Sequence, residues 1–330
     1  MLKNYCSGGL IQQRLMKLIL TFCLLCFSNT VVHGQISTAK IDSAGIEPLN
    51  TRSKRLKTKL VIAGHIITYG TALAGLYHTW YKGSSFGHFR FVNDNKKWLQ
   101  MDKAGHAWAG YMQGRFSIAA WRWVGVDERK AIWKGAITGF AFQNLVEILD
   151  GFSGAWGFSW GDYIADVAGS GLLMSQELAW KEQRILFKFS THRNHYKEAA
   201  MEERANDIYG SSLGSRLLDD YNAQTYWLSL NLKSLSKMKF PSWLNLAVGY
   251  GAHGMFGDTR NSWEMPDGTT AHMNTKRLRQ FYLSPDIDLS KIQSRSALMR
   301  TLLFVLNSCK VPAPTLELSG GKTKFHWILF

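Results

Sequence analysis

The spacing of apolar positions divides the chain into a helical stretch followed by a stretch of strands. Apolar residues recur at helical spacing over three segments, about 102–124, 128–149 and 160–188, which are separated by VGVDE and by DGFSGAWGFSWG. From about residue 222 the period becomes two, which is typical of strands with one wet face. The alternating segments are TYWLSLNLKSL, WLNLAVGYGAHGMFG and RQFYLSPDIDLSKI, followed by a helix at SALMRTLLFVLN and a hairpin around Gly320-Gly321.

Capping residues indicate where the second and third helices begin, and small residues indicate how the three helices pack. Asp127 is a natural N-cap for the second helix, and Ser159 with Asp162 three residues later resembles a capping box for the third. The helices are rich in Gly and Ala, which let helix backbones approach one another closely. We therefore expect the three helices to pack together.

The first 34 residues have the features of a secretory signal peptide. Three basic residues and no acidic one accompany the apolar run LILTFCLLCFSNTVV, and small residues suitable for cleavage lie near Gly34. Met16 begins an equally good signal by itself, so either Met1 or Met16 is the start. Neither Cys23 nor Cys26 follows a small residue, which does not favour lipid attachment at these cysteines.

A basic linker and an uncharged segment follow the leader. Residues 35–59 are polar and basic and end in NTRSKRLKTK, which is typical of a solvated linker. Residues 60–79 contain no formal charge and just reach the length that spans a bilayer. Because His65 and His78 interrupt this segment, a transmembrane helix and a buried or interfacial helix both stay open.

Together these elements predict an α+β protein, with an N-terminal membrane-associated helical bundle followed by a small antiparallel β region. The predicted divisions are a signal peptide at 1–34, a basic linker at 35–59, a helical domain carrying the polar motifs at 60–210 and a strand-rich region at 211–330.

Charge and export restrict the partners. The formal net charge is +15, and removal of the leader leaves +12. An exported protein rarely meets nucleic acid, so we expect a membrane surface or lipid as partner and no nucleic acid, while protein partners stay open. The expected location is the periplasm or the outer membrane. Cys309 is the one cysteine after the leader, so the mature chain forms no intramolecular disulfide.

The otherwise apolar helices contain three polar pairs, which are Asp102 with His106, Glu147 with Asp150, and Asp162 with Asp166. Side chains from three adjacent helices can converge on one pocket. Such a cluster would supply general acid–base catalysis or a metal site, so a divalent metal ion is the one cofactor that the pattern indicates. The candidate catalytic residues are Asp102, His106, Glu147 and Asp166, and the candidate binding residues are Lys103, Arg115, Asp150, Ser159 and Asp162.

Structural explanations stay open beside the catalytic ones. Asp102 before an apolar helix is a common N-cap. Glu147 and Asp166 fall within apolar runs, where an unpaired buried charge costs on the order of several kcal/mol, so these two residues need partners. Arg115 and Lys103 would supply them, which gives a structural ion-pair network.

Two stretches carry a characteristic order of motifs. They are FVNDNKKWLQMDKAGHAWAGYMQGR and NLVEILDGFSGAWGFSWGDYIADVAGSG, with DKxxH, a Glu at a helix end and then GxSxxD. Over about residues 86–180 this order resembles the YfiM-like family of predicted periplasmic lipoproteins, a bacterial domain of unknown function. It is also similar to the VanZ-like membrane family, although Asp166 stands where that pattern has Asn. The resemblance implies an envelope location, a membrane-associated helical domain and functional positions at Asp102, Lys103, His106, Glu147, Asp150, Ser159, Asp162 and Asp166.

Two functional hypotheses follow. The first is an exported, membrane-associated envelope protein with a structural or binding role. The second is a membrane-proximal hydrolase or transferase that acts on an anionic lipid or glycan through an Asp/His/Glu polar centre, so enzymatic activity stays open. The second hypothesis requires the side chains of His106, Glu147 and Asp166 to lie within a few ångströms of one another. The chain contains no GxxxxGK[ST] or HExxH motif.

Overall fold

The computed structural model describes residues 51–82, 84–235, 239–265 and 267–329. The predicted signal peptide and residues 35–50 of the predicted linker lie outside them. Residues 51–59 are not a linker, because helix α1 (Thr51–Leu76) already begins there and ends in a π-helical turn at Tyr77–Tyr81. The basic run contains no Gly or Pro, and Lys, Arg and Leu favour helix, so the helix extends back through it.

Helix α1 is, among the described residues, the one helix long and apolar enough to cross a membrane, judged by length and composition alone. Only 11% of its most apolar window is buried inside the protein. One stripe of it contacts helix α2 (Met101–Val124), where Val61 packs in a cluster with Trp121. Other positions of α1 carry exposed apolar side chains, including Ile66.

Three long helices pack against one another and form the centre of the fold. The predicted caps are confirmed, since Asp127 and Ser159 each accept a hydrogen bond from a backbone N–H of the first turn. Gly125 ends the first of the three in the left-handed conformation that favours glycine. The three are α2, α3 (Glu128–Phe152) and α4 (Trp160–Trp180).

Backbone contacts explain the small residues of these helices. A Cβ atom at Gly139 of α3 would lie 2.6 Å from the backbone nitrogen of Gly114 in α2. A Cβ atom at Gly169 of α4 would lie 1.8 Å from the carbonyl oxygen of Ala107 in α2. Only glycine fits at these two crossings, so the predicted close approach of the helices is confirmed.

The third predicted helix, at 160–188, is too long. Helix α4 ends at Trp180, followed by Lys181 in the left-handed conformation with φ 56°. The chain then enters strand β3 (Ile185–Thr191), which pairs antiparallel with β4 (Gln224–Asn231). The predicted helical domain at 60–210 therefore contains a strand of the sheet, because pairing with a distant strand overrides the local helical pattern.

Ten strands form three sheets in the described part of the chain. The main sheet is antiparallel with six strands, and a parallel and an antiparallel pair accompany it, so the β region is larger than predicted. Helices and strands together are consistent with the α+β class. The other strands are β1 (Phe91–Val92), β2 (Phe158–Ser159), β5 (Leu244–His253), β6 (Ser262–Glu264), β7 (Thr270–His272), β8 (Leu278–Ile287), β9 (Ala313–Ser319) and β10 (Lys322–Leu329). The order in the main sheet is β10-β9-β8-β5-β4-β3.

Shorter elements complete the structure. Ser296 caps the predicted helix near residue 300. The predicted final hairpin is confirmed, with Gly320 and Gly321 both at positive φ between β9 and β10. The remaining helices are α5 (Ala199–Tyr209), α6 (Leu213–Asp219), α7 (Leu232–Leu235) and α8 (Ala297–Leu306), with 3-10 turns at Lys97–Gln100 and Leu289–Lys291.

The main sheet curls around an interior that combines paired polar groups with the buried rings of Trp227 and Tyr282. Lys188 of β3 and Asp286 of β8 have fully buried side chains, and Nζ lies 2.8 Å from Oδ2. In a flat sheet these strands, separated by β4 and β5, would be about 14 Å apart. Ser229 donates a hydrogen bond of 2.6 Å to the same Asp286 oxygen, so the inner face is held by paired polar groups.

The outer face of the sheet is apolar. Its first strands pack on α2, where the rings of Trp108 and Phe189 lie 5.1 Å apart and Met101 joins a cluster with Tyr226. Farther from the helices the outer face is exposed. One row in register across five strands consists of Leu228, Val248, Leu283, Leu316 and Phe325.

Candidate functional site

The three predicted polar pairs meet between helices α2, α3 and α4. Nδ1 of His106 lies 3.1 Å from Oδ1 of Asp166, and Nε2 lies 3.7 Å from Oε1 of Glu147 and 3.8 Å from Oδ1 of Asp162. The spacing that the second hypothesis required is therefore present. We call this group the polar centre, and it consists of Asp102, His106, Glu147, Asp162 and Asp166.

An unusual turn places Asp102 inside the centre. Trp98, Leu99 and Gln100 have φ of 46°, 49° and 63°, a left-handed conformation that costs each about 1 kcal/mol. Gln100, not Asp102, is the N-cap of α2, so the predicted capping role is wrong. Oδ1 of Asp102 instead accepts a hydrogen bond of 3.1 Å from the Tyr221 hydroxyl, which directs the carboxylate into the protein.

Lys103 bridges the loop before α2 and the start of α4. Its Nζ lies 2.6 Å from Oδ1 of Asp94, 2.9 Å from Oδ1 of Asp162 and 3.4 Å from Oδ2 of Asp102. The Ser159 hydroxyl donates a hydrogen bond of 2.6 Å to the same Asp94 oxygen. The helix cap and the ion pairs therefore hold the predicted binding residues Lys103, Ser159 and Asp162 beside the polar centre.

Arg115 does not belong to the site. It lies nine residues after His106, about 13 Å along the helix, and its guanidinium stacks over the Phe304 ring at 4.2 Å. No ion pair in the described part of the chain joins Arg115 or Lys103 to Glu147 or Asp166, so the predicted pairing is wrong.

Glu147 and Asp166 find neutral donors instead. Oε2 of Glu147 accepts a hydrogen bond of 3.1 Å from the backbone N–H of Ser159. Oδ1 of Asp166 accepts one of 3.4 Å from the Gln143 side chain, beside its contact with His106. These donors satisfy part of the hydrogen-bonding capacity of each carboxyl group.

Asp150 lies at the rim of the site. Helix α3 continues past it to Phe152, so Asp150 does not close the helix. Its Oδ1 accepts a hydrogen bond of 2.5 Å from the Tyr81 hydroxyl. Burial raises the pKa of Asp150 to about 6.

Burial and neighbouring charges shift the pKa values of the centre strongly. Burial disfavours the His106 imidazolium, but the hydrogen bond to Asp166 and the nearby carboxylates outweigh it and raise its pKa to about 10. Burial raises the pKa of Glu147 to about 8, and burial with the charge of Asp102 raises that of Asp162 to about 7. At neutral pH the centre therefore holds an imidazolium beside a protonated Glu147.

One side of the centre reaches solvent. The side chain of Asp102 is 28% exposed and that of His106 is 19% exposed, whereas that of Asp166 is fully buried. A reactant would therefore meet Asp102 and His106 first, with Asp166 behind the imidazole.

The charges of the site suit a proton or a cation better than an anion. Lys103 and His106 are the basic groups within the contacts described above, and carboxylates outnumber them. At neutral pH both His106 and Glu147 carry a proton that they can donate, as a general acid requires. Asp102, His106 and Asp162 also offer ligand atoms that all lie within 4.8 Å of one another, as a metal site requires.

Several residues of the site were missed in the sequence. Asp94 is not among the predicted site residues, although its closeness to the DKxxH motif is a usable signal. Gln143 and Tyr81 gave none. Tyr221 lies 119 positions after Asp102, and only the tertiary fold joins them.

Comparison with known proteins supports the resemblance at the level of the family. Residues 89–176 match the model of a family described as predicted periplasmic lipoprotein (DUF2279), and this range contains α2, α3 and most of α4. The match supports an exported, periplasmic protein. No curated protein and no solved structure matches the chain.

Proposed function

We propose that the chain is an exported, membrane-associated protein of the cell envelope whose functional site is the polar centre. The observation that carries the membrane association is the inverted sheet, with polar residues inside and apolar residues outside. Leu283 is 42% exposed and Leu318 is 52% exposed, while Asp286 and Ser229 are buried. A sheet facing water on its outer side has the opposite arrangement.

A second apolar surface supports the same proposal. Exposed large side chains on α3 and α4 include Ile137, Ile148 and Ile164. Lipid acyl chains can cover two separate apolar surfaces at once, and the basic excess of the chain adds attraction to anionic headgroups. The narrower YfiM-like and VanZ-like resemblances belong to this proposal.

Vesicle flotation tests the membrane association. The mature protein is mixed with phosphatidylglycerol vesicles, with phosphatidylcholine vesicles and with buffer alone. We expect flotation with both lipids, and more of it with phosphatidylglycerol, because apolar and electrostatic terms add.

A variant of the main sheet tests whether its outer face contacts lipid. The triple substitution Val248→Thr, Leu283→Thr and Leu316→Thr keeps a strand-compatible residue at each position and should reduce flotation strongly. Leu213→Ser and Leu218→Ser alter exposed residues of α6 and serve as control. Unchanged flotation of a folded triple variant would show that the sheet does not contact lipid.

The polar centre favours a second candidate function, a hydrolase or transferase acting on an anionic lipid or glycan. In this function His106 protonates the leaving group, and Asp166 orients the imidazole through Nδ1. The attacking water or acceptor hydroxyl gives its proton to the Asp102 carboxylate at the exposed side of the centre, and Glu147, 3.7 Å from Nε2, orients the imidazole. The supporting observation is the convergence of these side chains.

His106→Gln separates the two functions. Phosphatidylglycerol vesicles and, separately, purified peptidoglycan are incubated with each protein, and released fragments are measured by mass spectrometry. A catalytic His106 predicts release by the wild type and none by a variant of similar urea stability. No release by the wild type, with lower stability of the variant, would assign His106 a structural role.

A further inference from the structure

We propose that the polar centre binds one divalent transition-metal ion through the carboxylate of Asp102, Nε2 of His106 and Oδ1 of Asp162. The inference rests on the same site as the second candidate function and replaces the role of His106 there, because Nε2 bound to an ion has no proton to donate to a leaving group. It does not require catalysis, because a bound ion can equally hold the three helices together.

The three ligand atoms are nearly in place. Atoms about 2.1 Å from a common ion lie at most about 4.2 Å apart, and these three lie within 4.8 Å of one another. Small rotations of these side chains are therefore enough to bring the three ligand atoms within bonding distance of one ion. Asp102 and His106 come from consecutive turns of α2, and Asp162 comes from the first turn of α4, so the ligands stand on rigid elements.

Two buried carboxylate oxygens beside His106 lack a hydrogen bond, although Lys103 Nζ lies 2.9 Å from one of them. Oδ1 of Asp162 accepts no hydrogen bond of good geometry, and the residue is only 3% exposed. Oδ2 of Asp166 has no hydrogen-bond partner either, and that side chain is fully buried. A buried carboxylate oxygen normally has a partner, and a cation beside Asp162 would supply one.

The environment of His106 is that of a metal ligand. Its Nδ1 lies 3.1 Å from Oδ1 of Asp166, which orients the ring, and Nε2 coordinates when the ion displaces the Nε2 proton of the imidazolium. Nε2 faces Asp162 at 3.8 Å. Asp166 is thus a positioning residue that holds the imidazole ring toward the ion.

Ligand chemistry selects the kind of ion. One imidazole and two carboxylates suit Zn²⁺ or Mn²⁺, whereas Mg²⁺ and Ca²⁺ prefer oxygen ligands alone. Lys103 is the rival cation, because its Nζ lies 2.9 Å from Oδ1 of Asp162. If the ammonium group satisfies the centre by itself, no ion enters.

Calorimetric titration tests the site. Protein stripped with EDTA is titrated with ZnCl₂ and, separately, with MgCl₂. We expect one Zn²⁺ per chain and at least 10-fold weaker Mg²⁺ binding. Asp162→Asn and His106→Gln should weaken Zn²⁺ binding at least 10-fold, and Asp166→Asn about 10-fold. His272→Gln, on β7 and outside the polar centre, is the control and should leave the affinity unchanged.

X-ray absorption of the Zn²⁺-loaded wild type keeps the test independent of whether the variants fold. We expect one imidazole and oxygen ligands at about 2.0–2.2 Å. Two or more imidazoles, or no stoichiometric binding, would overturn the inference and leave Lys103 as the cation of the site. Stoichiometric binding at this site without release of any lipid or glycan fragment would refute only the catalytic function. Release that survives EDTA would refute only a catalytic role of the ion.

Discussion

Substitution of Gly169 by alanine should separate α2 from α4 and open the polar centre at the same time. A Cβ atom there would lie 1.8 Å from the Ala107 carbonyl oxygen, and real Cβ contacts begin near 3.0 Å. The two backbones must therefore move apart by about 1.2 Å. His106 and Asp166 lie beside this crossing, and such a shift breaks their 3.1 Å hydrogen bond.

Three contributions determine how Gly169→Ala changes the free energy of unfolding. Overpacking of a closed interface costs about 1–3 kcal/mol, and loss of a hydrogen bond between charged groups costs about 1.5–3 kcal/mol. Alanine gains about 1 kcal/mol over glycine in a helix. We therefore expect Gly169→Ala to lower the free energy of unfolding by about 1.5–5 kcal/mol when the hydrogen bond is lost, and by at most about 2 kcal/mol if it survives.

Urea unfolding followed by circular dichroism measures this change, and Gly171→Ala is the matched control. Gly171 lies in the same helix with nothing within 4 Å of a Cβ atom, so its substitution should stabilise the protein by about 1 kcal/mol. Nitrogen chemical shifts of His106 report whether the contact with Asp166 survives. Equal stability of the two variants would refute the close crossing of the helices.

Three further predictions concern caps and a buried charge. Lys181→Gly should stabilise the protein by about 1 kcal/mol in urea unfolding, because glycine adopts φ 56° without strain; a loss of stability would contradict this. Ser159→Ala should lower the free energy of unfolding by about 2 kcal/mol and Ser296→Ala by about 1 kcal/mol, because only Ser159 also donates a hydrogen bond to Asp94. Equal losses in the two variants would show that the bond to Asp94 adds no stability. Burial lowers the pKa of Lys310 from 10.5 to about 8, so stability should rise between these pH values, by up to about 3 kcal/mol. Lys310→Met should abolish that rise, and parallel pH curves of the two proteins would contradict the shift.

The local pattern of residues was sufficient for much of the fold. The caps at Asp127 and Ser159 and the hairpin at Gly320-Gly321 are set by side chains within a few residues, so they were predicted correctly. The helix predicted at 160–188 extends into strand β3, because the partner strand lies about 40 residues away and pairing at that distance leaves no local signal in the sequence.

The polar centre divides in the same way. The sequence by itself determined that Asp102, His106, Glu147, Asp162 and Asp166 lie on three helices, and glycine-rich spacing indicated that those helices pack closely. Tertiary structure alone decided that Asp166 pairs with His106, that Arg115 lies elsewhere and that Asp94 and Tyr221 join the site. The reason is physical, since helical periodicity specifies the face of a residue, whereas the partner across a helix crossing depends on how the whole chain packs.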